Sequence, residues 1–180
     1  MKRIILLFAA TALLVACGPS REERVDQIED FEDSVFENAI GADPATADQL
    51  TDLYVAFADK YPTDSLTPQY LMKAAEIQSN VIHTDRAIQL FDRVINDYTY
   101  FSEVPMCYFL KGNAYDLNCQ YDEAKAAYQE FVDKFPNHFM AADTRKLIPL
   151  VGMSPEEIFE YNLARANDSL LANSQTVDVQ

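Results

Sequence analysis

Shifted against itself by 37 residues, the chain brings like residues into register over successive windows. The shift aligns Asp48 with Asp85 and Asp122, Tyr54 with Phe91 and Tyr128, Phe57 with Val94 and Phe131, and Tyr61 with Tyr98 and Phe135. It also pairs Ala87 with Ala124 and Pro68 with Pro105. A fixed period of about 20 to 50 residues marks a stacked fold, in which each unit must bury its apolar face against the next.

Inside each window the apolar residues recur at steps of three and four, the spacing of an amphipathic helix. The sets are Leu53, Tyr54, Phe57 and Tyr61, then Ile88, Phe91, Val94, Ile95 and Tyr98, then Ala124, Tyr128, Phe131 and Phe135. Pro62 and Pro136 stop two of these helices, and Pro68 and Pro105 suit the first turn of the helix that follows, where a missing N–H costs nothing. The unit is therefore helix, turn, helix, turn. The recurring Asp is expected to cap the second helix, accepting from free backbone N–H groups at the positive end of the helix dipole.

Tyr108, Gly112, Tyr115, Ala124, Tyr128 and Pro136 resemble the tetratricopeptide repeat pattern of aromatic, Gly, Tyr, Ala, aromatic and Pro. Ala75, Ala87 and Phe91 repeat it less completely, and the copy before Pro62 keeps little beyond its second helix. The resemblance covers about residues 30 to 150. It implies an all-α solenoid of about three to four antiparallel helix pairs with the 37-residue period, in which the small residues Gly112 and Ala124 face one another across a pair. Phe131 to Pro136 echoes Phe57 to Pro62 in a style similar to BamD-like outer-membrane assembly lipoproteins and periplasmic cell-division coordinators, although BamD-like proteins are longer and carry more repeats.

The N-terminus reads as an address. Lys2 and Arg3 precede an apolar run from Ile4 to Leu14, broken by Thr11 and too short to span a bilayer as a permanent helix. Leu14-Val15-Ala16-Cys17 followed by Gly18 resembles the lipobox of bacterial lipoproteins, which implies cleavage before Cys17 and acylation of its thiol. Each buried CH₂ of an acyl chain adds about 0.8 kcal/mol, so several chains hold such a protein firmly. Gly18 stands where an inner-membrane lipoprotein usually carries Asp, and by that resemblance the outer membrane is favoured. Arg21-Glu22-Glu23 is similar to a surface-export signal, but a charged tether entering a helix explains it better, since such triplets are common on helices. The expected organisation is a signal peptide over 1–16, an acylated tether over 17–20, the repeat domain over 21–171 and a polar, frayed tail over 172–180.

At the flanks, Val25, Ile28, Phe31, Val35 and Ala39 place a first helix over 21–40, separated from the next by 41–44. Residues 140–151 predict a further helix interrupted near Pro149 and closed by Gly152. Ser154-Pro155-Glu156-Glu157 is a capping box that opens a last helix to about Leu171.

Composition narrows the function. The chain has 180 residues, 49% of them hydrophobic, enough for one domain with a sizeable core. Its 14 Lys and Arg against 29 Asp and Glu give a charge of −15, which becomes −17 once Lys2 and Arg3 leave with the signal. A phosphate backbone would be repelled, so nucleic acid is not an expected partner. With 2 His and 3 Cys there is little from which to build a metal site or a Cys/His pair, and no cofactor or metal is expected. His83 and His138 fall in turns of different repeats without a second ligand. The acidic clusters Glu22-Glu23, Asp30 with Glu32 and Asp33, and Glu156-Glu157 lack the order of a calcium loop and read as solvated faces. Cys107 and Cys119 lie about 18 Å apart along one helix, too far for a disulfide, and are expected to be free and largely buried. No phosphate loop, nucleophile elbow or zinc-protease helix occurs, and the chain is not expected to be an enzyme.

What remains is the concave wall, which tetratricopeptide repeats build from the first helix of each pair. Its outward residues would be Gln69, Met72, Lys73 and Glu76, then Phe109, Leu110, Asn113 and Asp116, a mixture suited to a bound peptide or helix. Phe109 and Leu110 could equally pack on a neighbouring helix. The expected function is a lipid-anchored envelope adaptor with a protein or peptide partner, in outer-membrane protein assembly or a related task. The alternative is a peptidoglycan- or glycan-associated accessory protein or enzyme.

Overall fold

A computed structural model describes residues 18–37, 43–81 and 83–177. The signal peptide, Cys17, Ala39 and Ile40, the first part of the separator at 41–42 and the last three residues of the expected tail lie outside the described residues. Among the described residues there are eight α-helices and one short 3-10 turn, with no strand. The helices are α1 (Arg21–Glu37), α2 (Pro44–Lys60), α3 (Thr67–Asn80), α4 (Thr84–Asp97), α5 (Val104–Leu117), α6 (Tyr121–Lys134), α7 (Ala141–Leu147) and α8 (Pro155–Val177). The 3-10 turn, Ile148–Leu150, follows α7.

The sequence period is reproduced by the backbone. Helices α3, α5 and α7 begin 37 residues apart, as do α4 and α6, and α2, α4 and α6 end 37 apart. Local chemistry sets these ends. Tyr61, Tyr98 and Phe135 leave their helices at φ −127°, −125° and −125°, and each N–H still donates to the carbonyl four residues back. The N–H groups of Asp64, Phe101 and His138 then donate to the carbonyls of those same residues at 3.0, 2.8 and 3.0 Å. Those of Thr67, Val104 and Ala141 close the turn at 3.2, 3.2 and 2.9 Å. Pro68 and Pro105 occupy the second position of α3 and α5, where no N–H is required.

Each helix packs on its sequence neighbours: α2 on α3, α3 on α4, α4 on α5 and α5 on α6. The recurring aromatics form the core, with Phe57, Phe91 and Phe131 fully buried and Tyr54 and Tyr128 nearly so. Burying such a side chain contributes about 1.5 to 3 kcal/mol each, and this offsets the entropy of ordering the helices. The pairs α1/α2, α3/α4 and α5/α6, followed by α7 as half a repeat, make the all-α tetratricopeptide-repeat solenoid that the resemblance implies.

Several expectations are corrected. The recurring aspartates do not cap. α2 starts three residues earlier than the period demands and is capped by Asp43, whose carboxylate accepts from the Ala45 and Thr46 N–H groups. Asp48 therefore lies inside the helix and accepts from Gln78 Nε2 and Arg86 Nη1 at 3.0 and 3.1 Å. Asp85 and Asp122 sit in the first turn of α4 and α6, where they meet the dipole, but neither helix has a side-chain cap. Gly112 faces the ring of Tyr128 rather than Ala124, for a methyl group added there would lie 2.6 Å from a ring carbon. Both cysteines are free, but only Cys107 is buried, because Cys119 takes the left-handed turn after α5 (φ 58°) and points to solvent.

At the flanks, α1 is attached by Ile28, buried in the main core with Val25 and Phe31 beside it, and by two polar latches. Arg21 donates to Asp64, Nη2 to Oδ1 at 3.1 Å, and Glu32 accepts from both Tyr54 and Lys73. Ser20 and Glu23 form a capping box that the sequence reading missed. The Ser154–Glu157 box is present, and the helix it opens runs to Val177, past the expected end near Leu171. Phe159 and Leu163 of α8 are exposed.

Candidate functional site

The expected wall residues lie on α3 and α5, the first helices of two successive pairs. Gln69, Met72, Lys73 and Glu76 lie one turn apart along α3, and the structure brings all four to one cavity of about 370 Å³. Its far side is Phe101, Ser102 and Glu103, the turn that enters α5. A second cavity of about 180 Å³ adjoins it, lined by Glu76, Ser79, Asn80, Phe91, Leu110 and Asn113. Glu76 is common to both and joins them into one groove between α3 and α5.

The remaining expected residues are placed differently. Phe109 turns its ring onto α6, 5.3 Å from Tyr128 and 5.8 Å from Phe131 between centroids, and serves packing. Asn113 touches the second cavity and lies beside Tyr128. Asp116 lies beyond the groove beside Tyr121 and Tyr128, and burial raises its carboxyl above the ordinary range. Phe101, Ser102 and Glu103 were missed. The signal was present in Phe101, which in the 37-residue register aligns with Asp64 and His138 and is therefore an aromatic where the other copies are polar.

The charges of the groove are unequal. Lys73, the only base among the described residues that line it, donates to Glu32 Oε1 at 2.8 Å and stands over the rings of Tyr54 and Tyr70 at 5.8 and 6.0 Å. Glu32 is also the acceptor for Tyr54 Oη, so a carboxylate from α1 already occupies the cation. Glu76 is half-buried, and desolvation raises its carboxyl above the ordinary range, with Lys73 opposing. Glu103 stands at the lip. The groove thus presents apolar surface from Met72, Phe101 and Leu110 beside two carboxylates.

Elsewhere the chemistry is sparse. His83 Nδ1 lies 3.0 Å from Gln78 Oε1, and His138 Nδ1 accepts from the Met140 N–H at 3.3 Å. Among the described residues no group of three His, Cys, Asp or Glu is placed to hold a metal, and no helix is long and apolar enough to cross a membrane.

Residues 106–138, which cover most of α5, all of α6 and the turn after it, match the tetratricopeptide repeat family. The same helix pair recurs in α3 and α4 at the same period, so the groove lies between two successive units of a repeat that serves as a protein-interaction module. No curated protein matches the chain.

Proposed function

We propose that this chain is a non-catalytic adaptor of the bacterial cell envelope, anchored to the outer membrane by acyl chains on Cys17 and holding a segment of an envelope protein in the α3–α5 groove. The observation that carries the reading is the convergence of Gln69, Met72, Lys73 and Glu76 with Phe101 and Glu103 on one cavity between successive repeats. Because Lys73 is engaged by Glu32 and the remaining charges are carboxylates, the groove suits a segment that carries Lys or Arg beside an apolar anchor, and suits a C-terminal carboxylate poorly. The lipobox-like Leu14-Val15-Ala16-Cys17 supports the anchor, and the echo of residues 57–62 in 131–136 supports a task like that of BamD-like assembly lipoproteins.

The reading is tested by crosslinking and affinity capture from intact cells. Gln69→Arg with Met72→Arg should keep the helical content and lose the captured partner, since Gln69 is exposed and Met72 half-exposed. Undiminished capture by the folded variant would exclude the groove. Cys17→Ser should move the protein from the membrane to the soluble envelope fraction, and a variant that still pellets with membranes in high salt would exclude the lipid anchor.

A further inference from the structure

We propose that one edge of the solenoid, formed by the turns 61–66, 98–103 and 135–140, lies against the lipid bilayer, with Tyr100 and Phe139 seated among the headgroups. The inference rests on the acyl anchor at Cys17 and adds to it an orientation and a second contact.

Alternating up and down helices place every turn from the second helix of one pair to the first helix of the next at the same edge. The Arg21 guanidinium, bonded to the Asp64 carboxylate, fixes the start of α1 at the first of these turns. Cys17 lies four residues before Arg21, a chain length of at most about 14 Å. The opposite edge lies one 14-residue helix further, about 21 Å away. Acyl chains entering the bilayer at Cys17 therefore keep this edge, and not the other, near the headgroups.

The side chains on the edge suit that position. Phe139 and Tyr100, 80% and 70% exposed, are the two most exposed large hydrophobic residues among the described ones. The repeat does not demand either of them. The register aligns Tyr100 with Thr63 and Asn137, and Phe139 with Ser65 and Ser102, so each is an aromatic where the other copies are small or polar. Their rings are held by neighbours, Phe139 against His138 at 4.5 Å and Tyr100 edge-on to Tyr98 at 6.2 Å. Tyr, with an apolar ring and a polar tip, favours the membrane interface, and an exposed Phe beside it adds apolar surface to bury at the headgroup boundary.

The three turns hold no Lys or Arg, and their only acids are Asp64, which Arg21 neutralises, and Glu103, so the turns themselves bring little charge to the headgroups. Charge does not separate the two edges, since the helix starts carry Glu22, Glu23 and Asp143 on this one and Asp85, Asp122 and Glu123 on the other; the anchor and the two exposed rings do.

The chain contains no Trp, so a single introduced indole reports on its own site. Tyr100→Trp, Phe139→Trp and, at the end of α5 on the opposite edge, Leu117→Trp would each be made in the full acylated lipoprotein. All three positions are exposed, which protects the fold. The proteins would be reconstituted into phosphatidylethanolamine–phosphatidylglycerol vesicles with and without brominated acyl chains. The expected result is blue-shifted emission and at least a twofold loss of intensity in brominated vesicles at positions 100 and 139, with position 117 unaffected. Quenching at 100 and 139 no greater than at 117, in a protein that floats with the vesicles, would overturn the inference while leaving the anchor intact. That outcome would assign the two rings to a protein partner. A protein that carries no acyl chain and does not float would remove the anchor and, with it, the orientation.

Discussion

Replacing Gly112 by alanine adds one methyl group at the closest approach of α5 and α6. At its ideal position the new carbon lies 2.6 and 2.7 Å from two ring carbons of Tyr128, about 1 Å inside ordinary carbon–carbon contact. The ring has nowhere to go: Tyr128 is 1% exposed and is backed by Phe109. The helices must separate, and overpacking of this kind costs about 1 to 3 kcal/mol. Against it stands the gain of about 1 kcal/mol for alanine over glycine inside a helix. Two stiff contacts place the strain in the upper part of its range, so the net loss is about 1 to 2 kcal/mol. For a domain of this size that lowers Tm by about 2 to 8 °C. Thermal unfolding followed by far-UV circular dichroism reads it directly. The decisive comparison is a Tyr128→Leu background, where the obstacle is smaller and Gly112→Ala should become neutral or stabilising. A Gly112→Ala protein that melts at or above the parent with Tyr128 in place would refute the close approach as the reason for this glycine.

Burial raises the Glu76 carboxyl, so its favourable contribution is complete below the unfolded glutamate range near about 4.3 and is lost as pH rises through the raised folded value. Glu76→Gln should therefore raise Tm at about pH 7 and leave it unchanged at about pH 3.5; equal shifts at both would show that the carboxylate carries no desolvation strain. In the Cys17→Ser protein a thiol reagent should label Cys119 at once and Cys107 only on unfolding, because burial pushes the Cys107 thiol up to about 12. Two fast equivalents from the native protein would contradict the burial of Cys107.

The period was legible because each repeat's ends are set locally. A proline, an aromatic at the helix exit and a six-residue turn recur at fixed spacing, and each acts within a few residues of itself. The aspartates misled because the register aligns positions, not roles: α2 begins at Pro44, three residues early, and carries Asp48 away from its end. In the groove, the α3 side followed from helical phase alone. Its opposite wall did not, since Phe101, Ser102 and Glu103 reach it only when the turn before α5 folds back, which no helical period encodes. Phe109 and Asp116 share a face with Asn113 in sequence, yet the large ring of Tyr128 draws that face toward α6. Cys119 was misplaced for a smaller reason: one left-handed residue at the end of α5 turns its side chain outward.

Because each unit touches little beyond its sequence neighbours, the two ends of the stack are mechanically unequal. At the beginning, α1 is clasped by Ile28, Arg21 and Glu32 to three different elements of the first units. At the other end the closing helix is α7, half the length of its counterparts, resting on α6 through the buried Ala141. Peeling therefore starts from the C-terminal side, and stripping α7 uncovers Phe131 and Val132 without disturbing the contact of α3 with α5 two helices inward. A load applied through α8 would be absorbed by this sacrificial half-repeat before it reached the groove.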